Sequence, residues 1–574
     1  MKKLLPYLKK YRKECILGPL FKLLEAIFEL FVPLVMAGII DIGIATGNVS
    51  YIWSRCGILV ALAIVGLASS LTAQYFAAKA ATGFSAGVRA KLFKHLQSFS
   101  YTELDRLGTS TMITRMTSDV NQVQNGVNLA LRLLLRSPFV VMGAMIMAFT
   151  IDTPSALIFV GVIPILFIVV LSIILLTIPM YKKVQGSLDG VTSATRENLT
   201  GVRVLRAFRM EKSEIEHFST QNQFLNRLQL KVGRISNLLN PVTYVILNLA
   251  IIVLLQKGAI RVQAGALTQG QVVALYNYMS QILVELVKFA NLMITMTKAV
   301  ACGNRIQSVL EMQSSQKDGT IHHITEGNVE FSNVSMRYND ASDETISNVS
   351  FRVKAGQTVG VIGGTGSGKT TLVNLIPRFY DACQGKVLLD GIDVKEMDCS
   401  TLRASIGVVP QKTVLFRGTI RSNLLWGKEN ATPEELNRAL AIAQALEIVQ
   451  NKDDGLEAKV EQNGANFSGG QKQRLSIARA LVRQPRILIL DDSSSALDYA
   501  TDAALRRAID SMENPPTTFI VSQRTASVRN ADVILVLEDG QLVGKGSHES
   551  LLKNCEVYQE IYYSQFPKEA VSCG

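Results

Sequence analysis

Six stretches of about twenty mostly apolar residues lie within the first 300 positions, near 16–44, 56–82, 128–150, 155–179, 239–261 and 271–298. Each is long enough to cross the hydrocarbon core of a bilayer, about 30 Å thick, as a helix. The connections between them alternate in length and charge. ATGNVSYIW, IDTPS and RVQAGALTQG are short, whereas 83–127 and 180–238 are long and rich in Lys and Arg. Basic connections stay on the cytoplasmic side, which places both long connections and both termini there.

Structureless loops of that length are rare inside a compact protein. AGVRAKLFKHLQSF and SATRENLTGVRVLRAFRMEKSEIEHF carry apolar residues at helical spacing with charges between them, so the membrane helices are expected to continue well into the cytoplasm. Each connection holds a polar turn, near Gly108, Thr109 and Ser110 in the first and near Thr200 and Gly201 in the second, where a helix can reverse and present a short segment to another domain.

With 48% hydrophobic and 18% charged residues in 574, the chain reads as a membrane part joined to a soluble part. Its formal net charge of +12 gathers beside the apolar segments, where Lys and Arg set topology against an anionic inner leaflet, and this argues against a nucleic-acid partner. The seven cysteines, Cys15, Cys56, Cys302, Cys383, Cys399, Cys555 and Cys573, show no C-x-x-C spacing and read as reduced, structural thiols. The N-terminal MKKLLPYLKKYRKE alternates Lys with apolar residues and lacks a small-residue cleavage site. It reads as an amphipathic segment on the inner leaflet rather than as a signal peptide.

Beyond about residue 315 the polar SSQKDGTIHHITEGN leads into soluble α/β sequence, which divides the chain into a membrane domain, 1–315, and a cytoplasmic domain, 316–574. TVGVIG, RILILD, TTFIVS and DVILVL are buried-strand candidates separated by helical stretches. This pattern marks a mostly parallel sheet covered on both faces.

Directly after TVGVI and before the helical TLVNLIPRF stand Gly363, Gly364, Thr365, Gly366, Ser367, Gly368, Lys369 and Thr370, followed by Thr371. This is the strand, loop and helix context of a phosphate-binding P-loop. Its glycines let successive N–H groups point at phosphate oxygens and the helix N-terminus adds a favourable dipole, while Lys369 neutralises charge and Thr370 can ligate Mg²⁺. Asp491 ends a strand at the same edge of the sheet and can hold the magnesium through water; its bland alternative is a helix N-cap.

Between these motifs lies FSGGQKQR, from Phe467 to Arg474. Here the chain resembles the ABC transporter ATPases, whose signature is SGGQ; Phe467 stands where leucine is usual. Ser468, Gly469, Gly470 and Gln471 with the following helix N-terminus form a second anion site, which in that family closes on ATP held by the opposite subunit's P-loop. The resemblance extends to Tyr338 of SMRYND as the adenine-stacking aromatic, to Gln411 of VVPQ as the Q-loop and a further magnesium ligand, and to Ser495, Ala496, Leu497 and Asp498 as the D-loop. With six spans ahead of it, the chain is similar over essentially its whole length to half-transporter exporters. The resemblance implies ATP and Mg²⁺, an all-α six-helix transmembrane domain with long cytoplasmic extensions followed by an α/β P-loop ABC ATPase domain, a plasma-membrane location, and coupling helices at the two turns. The second of these docks on the partner's ATPase domain in that family.

Two positions depart from the family pattern. The catalytic base, normally glutamate after the magnesium aspartate, is Asp492, whose carboxylate is set back by one methylene, about 1.5 Å, from the water a base must reach. The switch histidine is replaced by Gln523 of FIVSQRTAS, an amide that hydrogen-bonds without carrying charge. Both weaken the site built on this chain's own P-loop and leave the signature intact. The expectation is a heterodimer with a second half-transporter subunit, one site degenerate, resembling bacterial heterodimeric multidrug exporters; the alternative is a homodimer with a slow Asp/Gln pair.

Lys22, Glu25 and Glu29 recur at i, i+3 and i+7 in the first span, and Glu285 and Lys288 at i, i+3 in the last. Intramembrane charge usually faces a bundle interior or an aqueous cavity, so Glu25, Glu29 and Glu285 are substrate-contact candidates that would favour cationic amphiphiles; intrahelical ion pairing is the other reading. No peptidase-like module is expected ahead of the first span. Drug or amphiphile export leads, with peptide or lipid export and a nucleotide-gated channel or regulator as alternatives. An importer is disfavoured because its membrane and ATPase parts are usually separate chains. A soluble DNA-acting ATPase would not carry six apolar spans.

Overall fold

The computed structural model describes residues 2–322, 324, 326–338 and 343–566. Two compact units emerge, Met1–Gln97 with Ser110–Met312, and Ser98–Thr109 with Gln313–Gly574. Cys573 lies outside the described residues; the other six cysteines form no disulfide.

The first unit is helical. Its long helices are α1 (Leu4–Ile44), α2 (Val49–Gln97), α4 (Thr109–Ile151), α5 (Thr153–Thr200), α7 (Glu211–Gln263) and α8 (Gln269–Glu311), each apolar enough to span a membrane. The short helix α3 (Tyr101–Leu107) belongs to the second unit, and α6 (Val202–Ala207) joins α5 to α7. At 41 to 53 residues the long helices measure about 60–80 Å, twice or more what a bilayer core requires. Continuation past the membrane, expected from the amphipathic connections, is what the helices show.

Local sequence sets the helix starts. Asp152 accepts a hydrogen bond from Ser155 N at 3.0 Å with Pro154 in the first turn of α5. Thr268 and Gln271 form a reciprocal capping box at α8. Small residues fill the helix contacts: Ala73, Ala77, Ala80 and Ala81 of α2 are fully buried, and a Cβ on Gly126 of α4 would lie 2.3 Å from Cβ of Ala299 in α8. Larger side chains such as Phe159, Leu166, Tyr278 and Met279 complete the core, while Leu71, Ile168, Leu176 and Ile252 face outward, each about 60% exposed. Small residues at close helix contacts and large apolar residues on the outer surface suit helices whose solvent is lipid, and the chain is a multi-pass membrane protein.

The second unit contains two main sheets. In the antiparallel layer, β1 (Val329–Met336), β2 (Ile346–Val353), β4 (Gln384–Leu389) and β5 (Ile392–Asp393) run in the order β2-β1-β4-β5. The larger sheet comprises β3 (Thr358–Gly363), β6 (Ile406–Val409), β9 (Ile487–Asp491), β10 (Thr517–Val521), β11 (Val533–Glu538) and β12 (Gln541–Gly546), in the order β12-β11-β3-β10-β9-β6. All neighbours in it are parallel except β11 with β12. A small ribbon pairs β7 (Gly418–Thr419) with β8 (Lys459–Val460).

Alternate residues of β9 feed two cores, Leu488 and Leu490 one and Ile487 and Ile489 the other, which is why the strand reads as an uninterrupted apolar run. Strands β3, β9, β10 and β11 coincide with the four expected from sequence. Their register brings Val361 beside Val521 and Val521 beside Asp491, so the ends of β3, β9 and β10 converge on one edge.

Helix α3 packs within this second unit. Ser100 and Glu103 form its capping box, and Glu103 Oε1 accepts from Ser315 N at 3.0 Å. The Tyr101 ring stacks on Phe379 with centroids 4.5 Å apart, and the Tyr380 hydroxyl donates to Asp105 Oδ2 at 2.5 Å. The segment presented by the first connection is therefore the helix preceding Gly108. In the second connection, α5 ends at Thr200 and α6 follows Gly201, at the expected turn.

Candidate functional site

A cleft at the C-terminal ends of β3, β9 and β10 is lined by the loop 365–371, by Gln411, Asp491 and Asp492, and by Thr345 and 521–523. Gly368 requires its residue type twice over: φ is +90°, and a Cβ would stand 2.8 Å from Thr345 O. Lys369 Nζ donates to Gly363 O at 2.9 Å and to Gly364 O at 2.5 Å, and burial pushes its ammonium below the ordinary lysine range against the pull of Asp492 and Asp491. Thr370 Oγ1 donates to Asp491 Oδ1 at 3.0 Å. Burial raises the Asp491 carboxyl, opposed by the Thr370 bond and reinforced by Asp492's like charge. The Thr370 hydroxyl and Asp491 carboxylate, in one cleft with Gln411, are oxygen donors that suit a hard cation such as Mg²⁺. Among the described residues no group of three or more His, Cys, Asp or Glu side chains forms a metal cage.

Asp492 stands in the left-handed backbone region at φ +47°, a conformation Asp tolerates better than most residues. Its N–H donates to Val521 O at 2.9 Å. Gln411 Nε2 donates to its Oδ2 at 3.3 Å. Gln523 lines the same cleft, its carbonyl accepting from Gln565 Nε2 at 2.7 Å. Tyr338 is outside the residues that line the cleft: its ring stands edge-on to Tyr380 at 4.9 Å and its hydroxyl lies 3.0 Å from Thr371 Oγ1.

The signature opens the helix Gly469–Val482. Ser468 Oγ accepts from Gln471 N at 3.3 Å and Gln471 Oε1 from Ser468 N at 3.0 Å, leaving Gly469 and Gly470 to present the helix start. Phe467 is buried and lies under the Lys452 ammonium. Asp498, not Asp491, is the helix cap: it accepts from Thr501 N at 3.1 Å at the start of Tyr499–Asp510, and its Thr501 hydrogen bonds lower its carboxyl.

In the membrane unit the acidic candidates separate. Glu25 pairs with Lys22 at 2.6 Å, the intrahelical alternative, and Lys22 also reaches Ser70 Oγ at 3.2 Å. Glu29 and Glu285 meet at Arg136, whose Nη2 and Nη1 contact them at 2.5 Å each. Ser137 Oγ and Lys288 Nζ, both at 2.8 Å, complete Glu285. A recess of about 480 Å³ opens between 29–36 of α1 and 277–288 of α8; Glu29 and Glu285 line it and Glu25 does not. Sequence reasoning passed over Arg136, although an arginine directly before the run SPFVVMGAMIMAF was itself a signal. Thr345 and Ser522 of the cleft carried no motif and were missed as well.

Residues 15–286 match the ABC transporter transmembrane region and 346–495 match the ABC transporter ATPase family. The chain is similar to the "Uncharacterized ABC transporter ATP-binding protein YfiB" of Bacillus subtilis (strain 168), 37% identical over 99% of each chain. It is also similar to the "ATP-dependent lipid A-core flippase" of Photorhabdus laumondii subsp. laumondii, 30% identical over 89% of this chain and 88% of that protein. Its fold is that of a bacterial Atm1-family ABC exporter solved with ATP bound, at a TM-score of 0.83 and 22% identity over 97% of this chain and 99% of that one. Membrane helices and ATPase lie in one polypeptide matched end to end, and the chain belongs to the ABC transporter family as an ATP-hydrolysing half-transporter of the exporter type.

Proposed function

We propose that this chain is the degenerate half of a heterodimeric exporter that moves drugs or other amphiphiles out of the cell across the plasma membrane, with both termini cytoplasmic. The supporting observation is the pairing at the cleft: a base shortened to Asp492 and held by Gln411, with Gln523 in place of a histidine. In this reading 1–315 form the membrane domain and 316–574 the ATPase. Residues 363–371 and Gln411 bind ATP, with Tyr338 stacking its adenine. Thr370, Gln411 and Asp491, the last through water, hold Mg²⁺, which supplies charge neutralisation at the phosphates when bound. Asp492 accepts the attacking water's proton poorly. Ser468, Gly469, Gly470 and Gln471, with the D-loop Asp498 beside them, complete the partner subunit's site. The bilayer surrounds the helices, and nucleic acid plays no part.

A lipid-like cargo is the second reading, favoured by relatives named as lipid A-core flippases. ATPase assays of the purified chain alone and with a candidate neighbouring subunit test the heterodimer. A silent chain, an active pair and loss of turnover only when the partner's catalytic glutamate is changed support it. Brisk hydrolysis by the chain alone makes it a homodimer.

A further inference from the structure

The charges at the membrane recess cancel. Glu29 and Glu285 are balanced by Arg136 and Lys288, so the recess lacks the negative field that the carboxylates alone suggested for a cation. Glu285 is saturated, 3% exposed with both oxygens engaged. What remains accessible is one carboxylate, the 42%-exposed side chain of Glu29, bonded to Arg136 through Oε2. Beside it is one ammonium, the 45%-exposed side chain of Lys288, bonded to Glu285 Oε1. Gln281, in the same wall, has a buried Oε1 without a hydrogen-bond partner. The rest of the wall combines the polar Asn277 and Ser280 with the apolar Val32, Pro33, Met36 and Val284.

We infer that this recess takes a zwitterionic amphiphile, with its ammonium donating to Glu29, its phosphate or carboxylate meeting Lys288, and its hydrocarbon against Val32, Pro33, Met36 and Val284. The inference rests on the reading that the recess lies on the transport route, and it names the class of cargo. A purely cationic amphiphile faces Lys288 with like charge and a purely anionic one faces Glu29 with like charge, so each loses one attraction and gains one repulsion. The chemistry is shared by an ethanolamine phospholipid of the bilayer and by a free zwitterionic amphiphile.

The test is isothermal titration of the full chain in phosphatidylglycerol nanodiscs with three octyl-tailed probes: octyl phosphoethanolamine, octylammonium and octyl phosphate. The zwitterion is expected to bind about tenfold more tightly than either singly charged probe, a difference of about 1.4 kcal/mol. Glu29→Gln should erase its advantage over octyl phosphate, and Lys288→Met its advantage over octylammonium. In both variants Glu285 keeps Arg136 and Ser137, and unchanged melting temperatures verify folding. Octylammonium binding as tightly as the zwitterion, or rankings unmoved by both substitutions, overturns the inference. If ATP binds and none of the probes does, the transport-route reading falls first and the inference with it. Adding phosphatidylethanolamine to the nanodiscs separates the sources: competition with the octyl zwitterion identifies the bilayer lipid, and no competition identifies a free amphiphile.

Discussion

Gln411 Nε2 lies 3.3 Å from Asp492 Oδ2, so one oxygen of the proposed base already accepts a hydrogen bond from the Gln411 amide. Restoring the missing methylene should bring the carboxylate forward by about 1.5 Å, and general-base catalysis is worth about 10²–10⁴-fold. Asp492→Glu combined with Gln523→His is expected to raise phosphate release at this chain's own site by about tenfold or more. The assay uses an assembly whose other site is silenced at its catalytic glutamate, so that the gain can come from nowhere else.

Tyr380 connects the nucleotide side of the ATPase unit to α3. Its ring is edge-on to Tyr338 and its hydroxyl bonds Asp105; burial, then the Asp105 bond, raises that hydroxyl's pKa. Tyr380→Phe keeps the ring and deletes the hydrogen bond, a loss of about 1 kcal/mol. Amide exchange across Tyr101–Leu107 should accelerate about fivefold while ATP affinity stays within about twofold.

Arg136 binds two carboxylates from two other helices, and Glu285 is 3% exposed. Arg136→Met leaves that buried carboxylate with Lys288 as its cation and the Ser137 hydroxyl, and should cost about 3–5 kcal/mol. Adding Glu285→Gln should recover much of the loss, because the stranded charge goes with it. Thermal unfolding of detergent-solubilised protein, followed for the two variants and their parent, measures both effects.

The raised Asp491 carboxyl makes magnesium dependence sensitive to acid. A carboxyl whose pKa is raised begins to take up its proton at a higher pH than an ordinary aspartate near 3.9. Proton and cation compete for it, so the gain in ATP affinity conferred by Mg²⁺ should be smaller at an acidic than at a neutral pH. Asp491→Asn should show little gain at either pH. Nucleotide titrations with and without Mg²⁺ at the two pH values provide the comparison.

Legibility in the sequence followed how each element is buried. Strands β3, β9, β10 and β11 have both faces covered and appear as unbroken apolar runs. The antiparallel layer did not stand out because β2 alternates buried and exposed residues and β1 is interrupted by register shifts near Val334. Among the membrane helices the apolar centres were readable, and the true ends were not, since helix continues wherever amphipathic sequence permits. The P-loop and signature were visible because glycine and hydroxyl spacing imposes their geometry. Arg136 was hard to weigh, because its meaning comes from Glu29 and Glu285, more than a hundred residues away on either side in sequence. The role of α3 likewise depends on Phe379 and Tyr380, which no local pattern announces.

Glu29, Arg136 and Glu285 stand 15, 15 and 16 residues from the ends of α1, α4 and α8 at Ile44, Ile151 and Gln269, about 23 Å along each axis. Equal depth lets them meet, and it also dictates an order of events during synthesis. Each helix enters the bilayer with a charge that is unfavourable by up to about 2.5–3.5 kcal/mol near the midplane. Glu29 waits for Arg136 until α4 has emerged, and that pair waits for Glu285 until α8 has. The nascent bundle is therefore least settled until its last helix inserts, and a truncation before residue 285 leaves Arg136 with one of its two carboxylate partners and its Nη1 without the Glu285 contact.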